Sequence, residues 1–281
     1  MRSALYVPAD APRKLAKALG LDTDELIVDL EDAVPPDARA AARERLTDWL
    51  VRNAPGAVPR IWVRINPGRA GLADAAAVAV PGVAGVVAAK TESAEGPAAL
   101  AAPLRAAERR HGTAAGTFGI VALVESARGV LAAPEIARAP RVVRLQLGEA
   151  DLRAELGVEP GPDGLELLHA RSRIVLASAA AGIRPPPAPV CTDVRDTEGL
   201  RRSTLAFRRL GFRGRACVHP SQLPVVNVVF TATDAELSGA RDLVERYERA
   251  LAAGAAVCLG ADGRLIDPAV VRSARRLLTG D

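Results

Sequence analysis

The chain has 281 residues, 49% of them hydrophobic, 25% charged and 3% aromatic, with a formal net charge of +4. That apolar content supports one large domain or two small ones and excludes a disordered chain. No apolar run reaches the roughly 18 residues of a membrane span. Met1-Arg-Ser-Ala-Leu-Tyr-Val-Pro8 passes straight into a strand pattern without a leader-like segment, so a cytoplasmic protein with no membrane partner is expected.

Nearly all the cations are arginines; lysine occurs only at positions 14, 17 and 90. The arginines are scattered beside acids on helix-like stretches, as in Ala40-Ala-Ala-Arg-Glu-Arg45, which reads as solvated helix face. Without aromatic residues interleaved among the cations, no nucleic-acid partner is expected. The cysteines (Cys191, Cys217, Cys258) and histidines (His111, His169, His219) are dispersed, so neither a disulfide framework nor a Cys/His zinc site is visible.

Strand-like apolar runs occupy residues 3–8, 25–31, 60–66, 83–89, 119–125, 142–148, 188–193 and 215–219. Helical patterns lie between them at 11–20, 37–53, 70–79, 95–111, 128–138, 163–182 and 197–210. Eight runs alternating with helices predict a (β/α)8 TIM barrel. The runs are nearly continuously apolar, as parallel strands covered on both faces should be. The seventh is the weakest, because prolines crowd its start between Pro185 and Pro189. Beyond them follow a short helix over Ser221 to Val229, a long one over Asp234 to Ala253 capped by Thr233, a turn at Gly260 to Gly263 and a closing helix over Pro268 to Leu278. The expected organisation is a barrel over 1–220 and a helical extension or lid over 221–281.

Active-site residues of a parallel barrel collect at the C-terminal ends of its strands. Glu125 ends the fifth run and Asp151 stands just past the sixth. Adjacent strands lie about 4.8 Å apart, so both carboxylates can reach one Mg2+, which keeps several waters and needs few protein ligands. The plainer alternative makes them solvated loop residues or caps, with Asp151 capping a helix from Leu152. Arg64, inside Trp62-Val-Arg-Ile-Asn66, is either ion-paired with Glu31 or Asp32 or a bidentate clamp for a carboxylate or keto acid. Asp29, Glu31 and Asp32 either orient Arg64 or hold metal-bound waters. Lys90 is an ordinary surface lysine or a Schiff-base nucleophile. His219 reads as structural. No Walker A, dinucleotide-binding or G-x-S-x-G motif is present.

Six motifs follow one another in register: Arg2-Ser-Ala-Leu-Tyr-Val-Pro8, Ile27-Val-Asp-Leu-Glu-Asp-Ala-Val34, Val63-Arg-Ile-Asn66, Leu123-Val-Glu125, Gly148-Glu-Ala-Asp-Leu152 and Gly211-Phe-Arg-Gly-Arg-Ala-Cys-Val-His-Pro-Ser-Gln222. Together with the tail Asp262-Gly-Arg-Leu-Ile-Asp267, they resemble the citrate lyase beta-subunit-like family. That family includes the malyl-CoA, citramalyl-CoA and citryl-CoA lyases of the class II aldolase type. The resemblance implies a Mg2+-dependent TIM barrel, assembled as a homotrimer or a dimer of trimers. It implies Glu125 and Asp151 as metal ligands, Arg64 and Glu125 as catalytic and substrate contacts, and Asp267 as acid or base at a neighbouring subunit's site. The implied substrate is a carboxylated 3-hydroxyacyl-CoA, or its acyl-carrier-bound equivalent, cleaved to a keto acid and an acyl-CoA. A malyl-CoA-type thioesterase and a non-catalytic subunit of an acyl-carrier lyase complex are the alternatives. The chain departs from the family pattern at Ala9, Ala89, the proline run 185–187 and Ala232.

Overall fold

The computed structural model describes residues 1–161 and 163–279. Strands β1 (Ser3–Pro8), β2 (Glu25–Asp29), β3 (Arg60–Ile65), β4 (Val83–Ala88), β5 (Gly119–Val124), β6 (Val142–Leu147) and β7 (Arg215–Cys217) form one sheet in the order β6-β5-β4-β3-β2-β1-β7. Every pairing in it is parallel. The fold is therefore α/β, a curled seven-stranded parallel sheet with helical crossovers.

Side-chain alternation divides each strand between two layers. The outward residues, such as Leu26, Val28, Ile61, Val63, Ile120 and Leu145, join the large core that the helices cover. The inward residues Ala4, Ile27, Trp62, Val87, Val121 and Leu123 form a separate cluster on the concave face. Following the inward rows to their ends places polar residues at both rims. Tyr6, Asp29, Arg64 and Gln146 stand toward the C-terminal rim; Glu25, Arg60 and Arg144 stand toward the N-terminal rim. Two glycines are needed where a neighbour approaches too closely for a side chain. A Cβ on Gly85 (φ 149°) would lie 2.0 Å from the Gly119 carbonyl oxygen, beside the register shift between β3 and β4. A Cβ on Gly148 would lie 2.7 Å from the Glu125 side chain.

The expected strand over 188–193 does not form. Residues 184–189 read Arg-Pro-Pro-Pro-Ala-Pro, so only Arg184 and Ala188 carry an amide proton. Those two residues make isolated parallel bridges, Arg184 to Arg144 of β6 and Ala188 to Arg215 of β7. The Arg184 N–H donates to the Val143 carbonyl (3.0 Å) and the Ala188 N–H to the Gly214 carbonyl (2.9 Å). Arg215 adds a side-chain link, its Nε donating to the Pro189 carbonyl at 2.9 Å. An extended, proline-rich segment thus stands between β6 and β7 where the seventh strand was predicted.

Other boundaries shift for identifiable reasons. The helix expected over 128–138 is two short ones, Ala127–Leu131 and Ala133–Ala137, the second with Pro134 in its first turn. The helix expected over 163–182 is regular from Leu168 to Ala181, after a short 3-10 turn at Leu165–Leu167. A helix at Glu149–Leu156 begins three residues earlier than the position from which Asp151 could cap it.

The chain divides into two compact units, Met1–Phe230 and Thr231–Asp281. The second contains helix Asp234–Ala252, which Thr233 and Glu236 start with a capping box, an antiparallel pair β8 (Cys258–Leu259) and β9 (Leu265–Ile266), and helix Pro268–Thr279. Arg275 bridges to Glu248 between its two helices at 2.9 Å. Residues 280–281 of the expected extension lie outside the described residues. No helix among the described residues is long and apolar enough to cross a membrane.

Candidate active site

A cavity of about 360 Å³ opens at the C-terminal rim, lined among others by Tyr6, Asp29, Asp32, Arg64, Glu125, Gln146, Glu149 and Asp151. All of its lining residues belong to the first unit.

Glu125 follows the last residue of β5 and is 6% exposed. One of its oxygens accepts the Lys90 backbone N–H at 2.7 Å. Asp151 projects from the first turn of helix Glu149–Leu156, an exposed position at the cavity's edge. Its carboxyl lies within hydrogen-bonding reach of the Glu125 carboxyl. Burial, followed by the neighbouring charges of Asp151 and Glu31, pushes Glu125 up to about 8 against the pull of the Lys90 amide. Two carboxyls converging in this way resist being ionised together unless a cation lies between them. Among the described residues no group of three or more His, Cys, Asp or Glu is placed to hold a metal ion. The pair thus fits a hard ion that takes oxygen ligands and fills its remaining positions with water or substrate, as Mg2+ does.

Arg64 is held by the acids after β2. Its Nε and Nη2 donate to the two oxygens of Asp29 at 2.7 and 2.6 Å. Its Nη1 reaches Glu31 at 3.2 Å and Asp32 at 3.3 Å. The sequence reading paired it with Glu31 or Asp32 and counted Asp29 among the acids that could orient it; all three touch it, and Asp29 is the bidentate one. Asp29 is itself fixed because the Glu31 and Ala33 amides donate to its oxygens, at 3.0 and 3.1 Å. Burial alone would lower the Arg64 pKa, but the bonds to Asp29 outweigh it and raise the value. Three of these contacts are hydrogen bonds, which leaves two of the guanidinium's five N–H bonds for a ligand.

Lys90 has a left-handed backbone (φ 51°), uncommon for a residue with a side chain. The conformation lets its amide face Glu125 while its Nζ turns to Glu31 at 2.7 Å. That bond raises the lysine's pKa. A Schiff-base nucleophile needs the opposite shift, so Lys90 is a charge partner in this site. Burial in turn raises the pKa of Glu31, despite Lys90 and Arg64.

Tyr6 and Gln146 were not singled out in the sequence, although a glutamine inside the apolar Val142-Val-Arg-Leu-Gln-Leu147 was visible. The Gln146 amide nitrogen donates to the Tyr6 hydroxyl at 2.8 Å, and the Gln146 Oε1 is buried without a partner. The Arg64 guanidinium lies 5.2 Å from the Tyr6 ring centroid. Burial pushes the phenol up to about 12, so it stays protonated. Whichever way the amide is oriented, the pair keeps one polar N–H or O–H over for the cavity.

Two further residues named in the sequence reading act as caps. Asp267 lies in the second unit, where its Oδ1 accepts the Ala269 and Val270 amides at 2.9 Å each and caps helix Pro268–Thr279. His219 is exposed and caps the 3-10 turn Pro220–Gln222, with Nδ1 2.8 Å from the Ser221 hydroxyl. Glu149, absent from the sequence reading, lines the cavity and is neutralised by Arg171 at 2.6 Å.

The model of the HpcH/HpaI aldolase/citrate lyase family matches residues 2–220. The chain belongs to that family. It is 32% identical to the citrate lyase subunit beta of Leuconostoc mesenteroides subsp. cremoris, covering 99% of this chain and 92% of that protein. It is 34% identical to a (3S)-malyl-CoA thioesterase of Cereibacter sphaeroides, covering 99% and 93%. Among solved structures it resembles CitE of Mycobacterium tuberculosis in complex with magnesium, acetoacetate and coenzyme A. That likeness has a TM-score of 0.77 at 32% identity and covers 100% of this chain and 99% of that one. The family resemblance read from the six motifs is thereby established.

Proposed function

We propose that this protein is a Mg2+-dependent carbon–carbon lyase acting on a carboxylated 3-hydroxyacyl-CoA of the citryl-, malyl- or citramalyl-CoA type. The observation that carries the reading is the convergence of Glu125 and Asp151 on one cavity that also presents Arg64 and the Tyr6–Gln146 pair. Glu125 and Asp151 would hold the ion. When bound, Mg2+ supplies Lewis-acid polarisation of the substrate's oxygens. Arg64, locked by Asp29, contributes a fixed positive charge beside the oxygen on which charge develops. The spare hydrogen of the Tyr6–Gln146 pair orients a second substrate oxygen. In the cleavage the 3-hydroxyl loses its proton, the C2–C3 bond breaks, a keto acid forms, and the electron pair passes to the enolate of the acyl-CoA, which is then protonated. Asp267 remains the proposed acid or base for that proton. The proline-rich segment 184–190 is proposed to complete the curled sheet as a (β/α)8 barrel. A cytoplasmic homotrimer or dimer of trimers belongs to the same reading, with 221–281 as the extension that meets a neighbouring subunit.

Hydrolysis of a malyl-CoA-type thioester is the second reading, favoured by the 34% identity to proteins named for that reaction. Incubation with malyl-, citramalyl- and citryl-CoA separates the two. A lyase yields a keto acid together with an acyl-CoA, whereas a thioesterase yields free CoA thiol and no keto acid. Asp151→Ala is expected to reduce turnover by more than about 10³-fold and to abolish calorimetric Mg2+ binding. Full turnover of that variant in EDTA would defeat both readings.

A further inference from the structure

The N-terminal rim carries a second cluster of charged residues that the proposed chemistry does not use. Glu25 opens β2 and pairs across the concave face with Arg144 of β6, Nη2 to Oε2 at 2.6 Å, both nearly fully buried. Arg60 opens β3 opposite Glu25 in the register and stacks on Trp62 at 5.9 Å, inside the same inward row. Arg184 bridges to Arg144, so the two face the same way. Three guanidiniums therefore gather around one carboxylate. The nearby acids Asp22 and Asp24 are both taken up by Arg2, at 2.9 and 2.8 Å.

The hydrogen-bond inventory points the same way. The Arg144 Nε and the Trp62 indole N–H are buried and have no partner. These groups are neighbours, with the Arg144 guanidinium 5.7 Å from the Trp62 ring centroid. The Arg144 Nη1 has only the Met1 thioether at 3.1 Å, a weak acceptor, and a long 3.5 Å contact to Glu25. Buried donors of this kind are costly unless an acceptor meets them. Arg60 and Arg184 are exposed, and no carboxylate is paired with Arg184 among the described residues. Desolvation, then the like charges of Arg184 and Arg144, hold Arg60 below its ordinary pKa.

We propose that Arg60, Arg144 and Arg184 form a binding site for a phosphate dianion at the N-terminal rim, on the far side of the sheet's concave face from the Glu125–Asp151 cavity. The excess of two positive charges selects a dianion. Guanidinium forks favour a tetrahedral oxyanion that accepts several N–H bonds at once. Because Arg60 and Arg184 are open to solvent, the phosphate can be free or can be the head of a phosphomonoester.

Titration calorimetry and thermal shift with inorganic phosphate and with glycerol 3-phosphate, against chloride at matched ionic strength, test the site. Wild-type protein is expected to bind one of these ligands or both saturably. An Arg60→Gln/Arg184→Gln double variant, which keeps the Glu25–Arg144 pair, is expected to bind at least about tenfold more weakly, with turnover in phosphate-free buffer unchanged. Arg64→Lys, at the opposite rim, is expected to leave phosphate affinity as it was. Binding of both ligands means that the phosphate group suffices; binding of glycerol 3-phosphate alone means that the ester carbon skeleton is also read. The proposal is overturned if neither ligand stabilises the protein beyond the chloride control, if the double variant binds as wild type, or if Arg64→Lys removes the binding.

Discussion

The two rims of the concave sheet are built from the same inward rows and carry opposite charge. At the C-terminal rim six carboxyls, those of Asp29, Glu31, Asp32, Glu125, Glu149 and Asp151, stand with three cations, Arg64, Lys90 and Arg171. At the N-terminal rim one carboxyl, Glu25, faces three arginines. β3 shows the principle within one strand: Arg60 at its start and Arg64 near its end share a face with Trp62 between them. Arg64 is surrounded by acids and raised in pKa; Arg60 is lowered, first by desolvation and then by Arg184 and Arg144. Identical residues on one strand acquire opposite environments because the strands on either side end in different residues.

Four substitutions or titrations test that contrast. The largest effect is expected at the N-terminal rim. Glu25→Gln leaves Arg144 buried beside other arginines without a counter-charge, and should cost about 3–5 kcal/mol in urea denaturation. A loss below about 1 kcal/mol would mean that the rim is better solvated than its burial suggests. At the other rim, Arg64→Lys keeps the charge and loses the planar fork held by Asp29, so turnover is expected to fall roughly 10²–10³-fold with the fold intact by circular dichroism.

The third test concerns protons. Glu125 must give up its proton to bind a cation, and its pKa stands at about 8. Mg2+ affinity is therefore expected to rise about tenfold per pH unit below that value and to level off above it, as calorimetry in buffers of differing pH would show. The sign for stability is the reverse. The metal-free fold keeps a proton that the unfolded chain loses near pH 4.5, so its stability falls as pH rises from there to about 8. The smallest effect is expected from Tyr6→Phe, which takes away one neutral hydrogen bond. It should raise KM for the carboxylated substrate by about tenfold or less, with little change in Mg2+ affinity.

Much of this was legible in the chain. β1 runs over Ser3–Pro8 as its apolar run predicts, and β3 to β6 end within one residue of their predicted limits. Glu125 and Asp151 were found because a carboxylate ending an apolar run has no packing role. What escaped depends on contacts across the sheet. Asp29 was among the acids expected to orient Arg64, but that it would be the fork depended on its standing opposite Arg64 in the register, where β2 stops. Arg144 and Gln146 were visible as polar interruptions in β6, yet their partners Glu25 and Tyr6 lie 119 and 140 residues away. The left-handed turn at Lys90 has no glycine or asparagine to announce it. The seventh run failed as a strand for a reason already present in its prolines.

That proline run also sets where the sheet can breathe. Residues 184–189 possess two amide protons between them, so the slit between β6 and β7 is laced by isolated backbone bonds, while the pairs from β1 to β6 each carry a run of four or five paired residues. Deuterium should enter the Arg184 and Ala188 amides well before those at the centres of β2 to β5. Val190, next along the chain, is part of the cavity wall. The flank of the cavity that includes Val190 is thus held by isolated backbone bonds and by side chains such as Arg215, and is where the wall can yield to ligands of differing bulk.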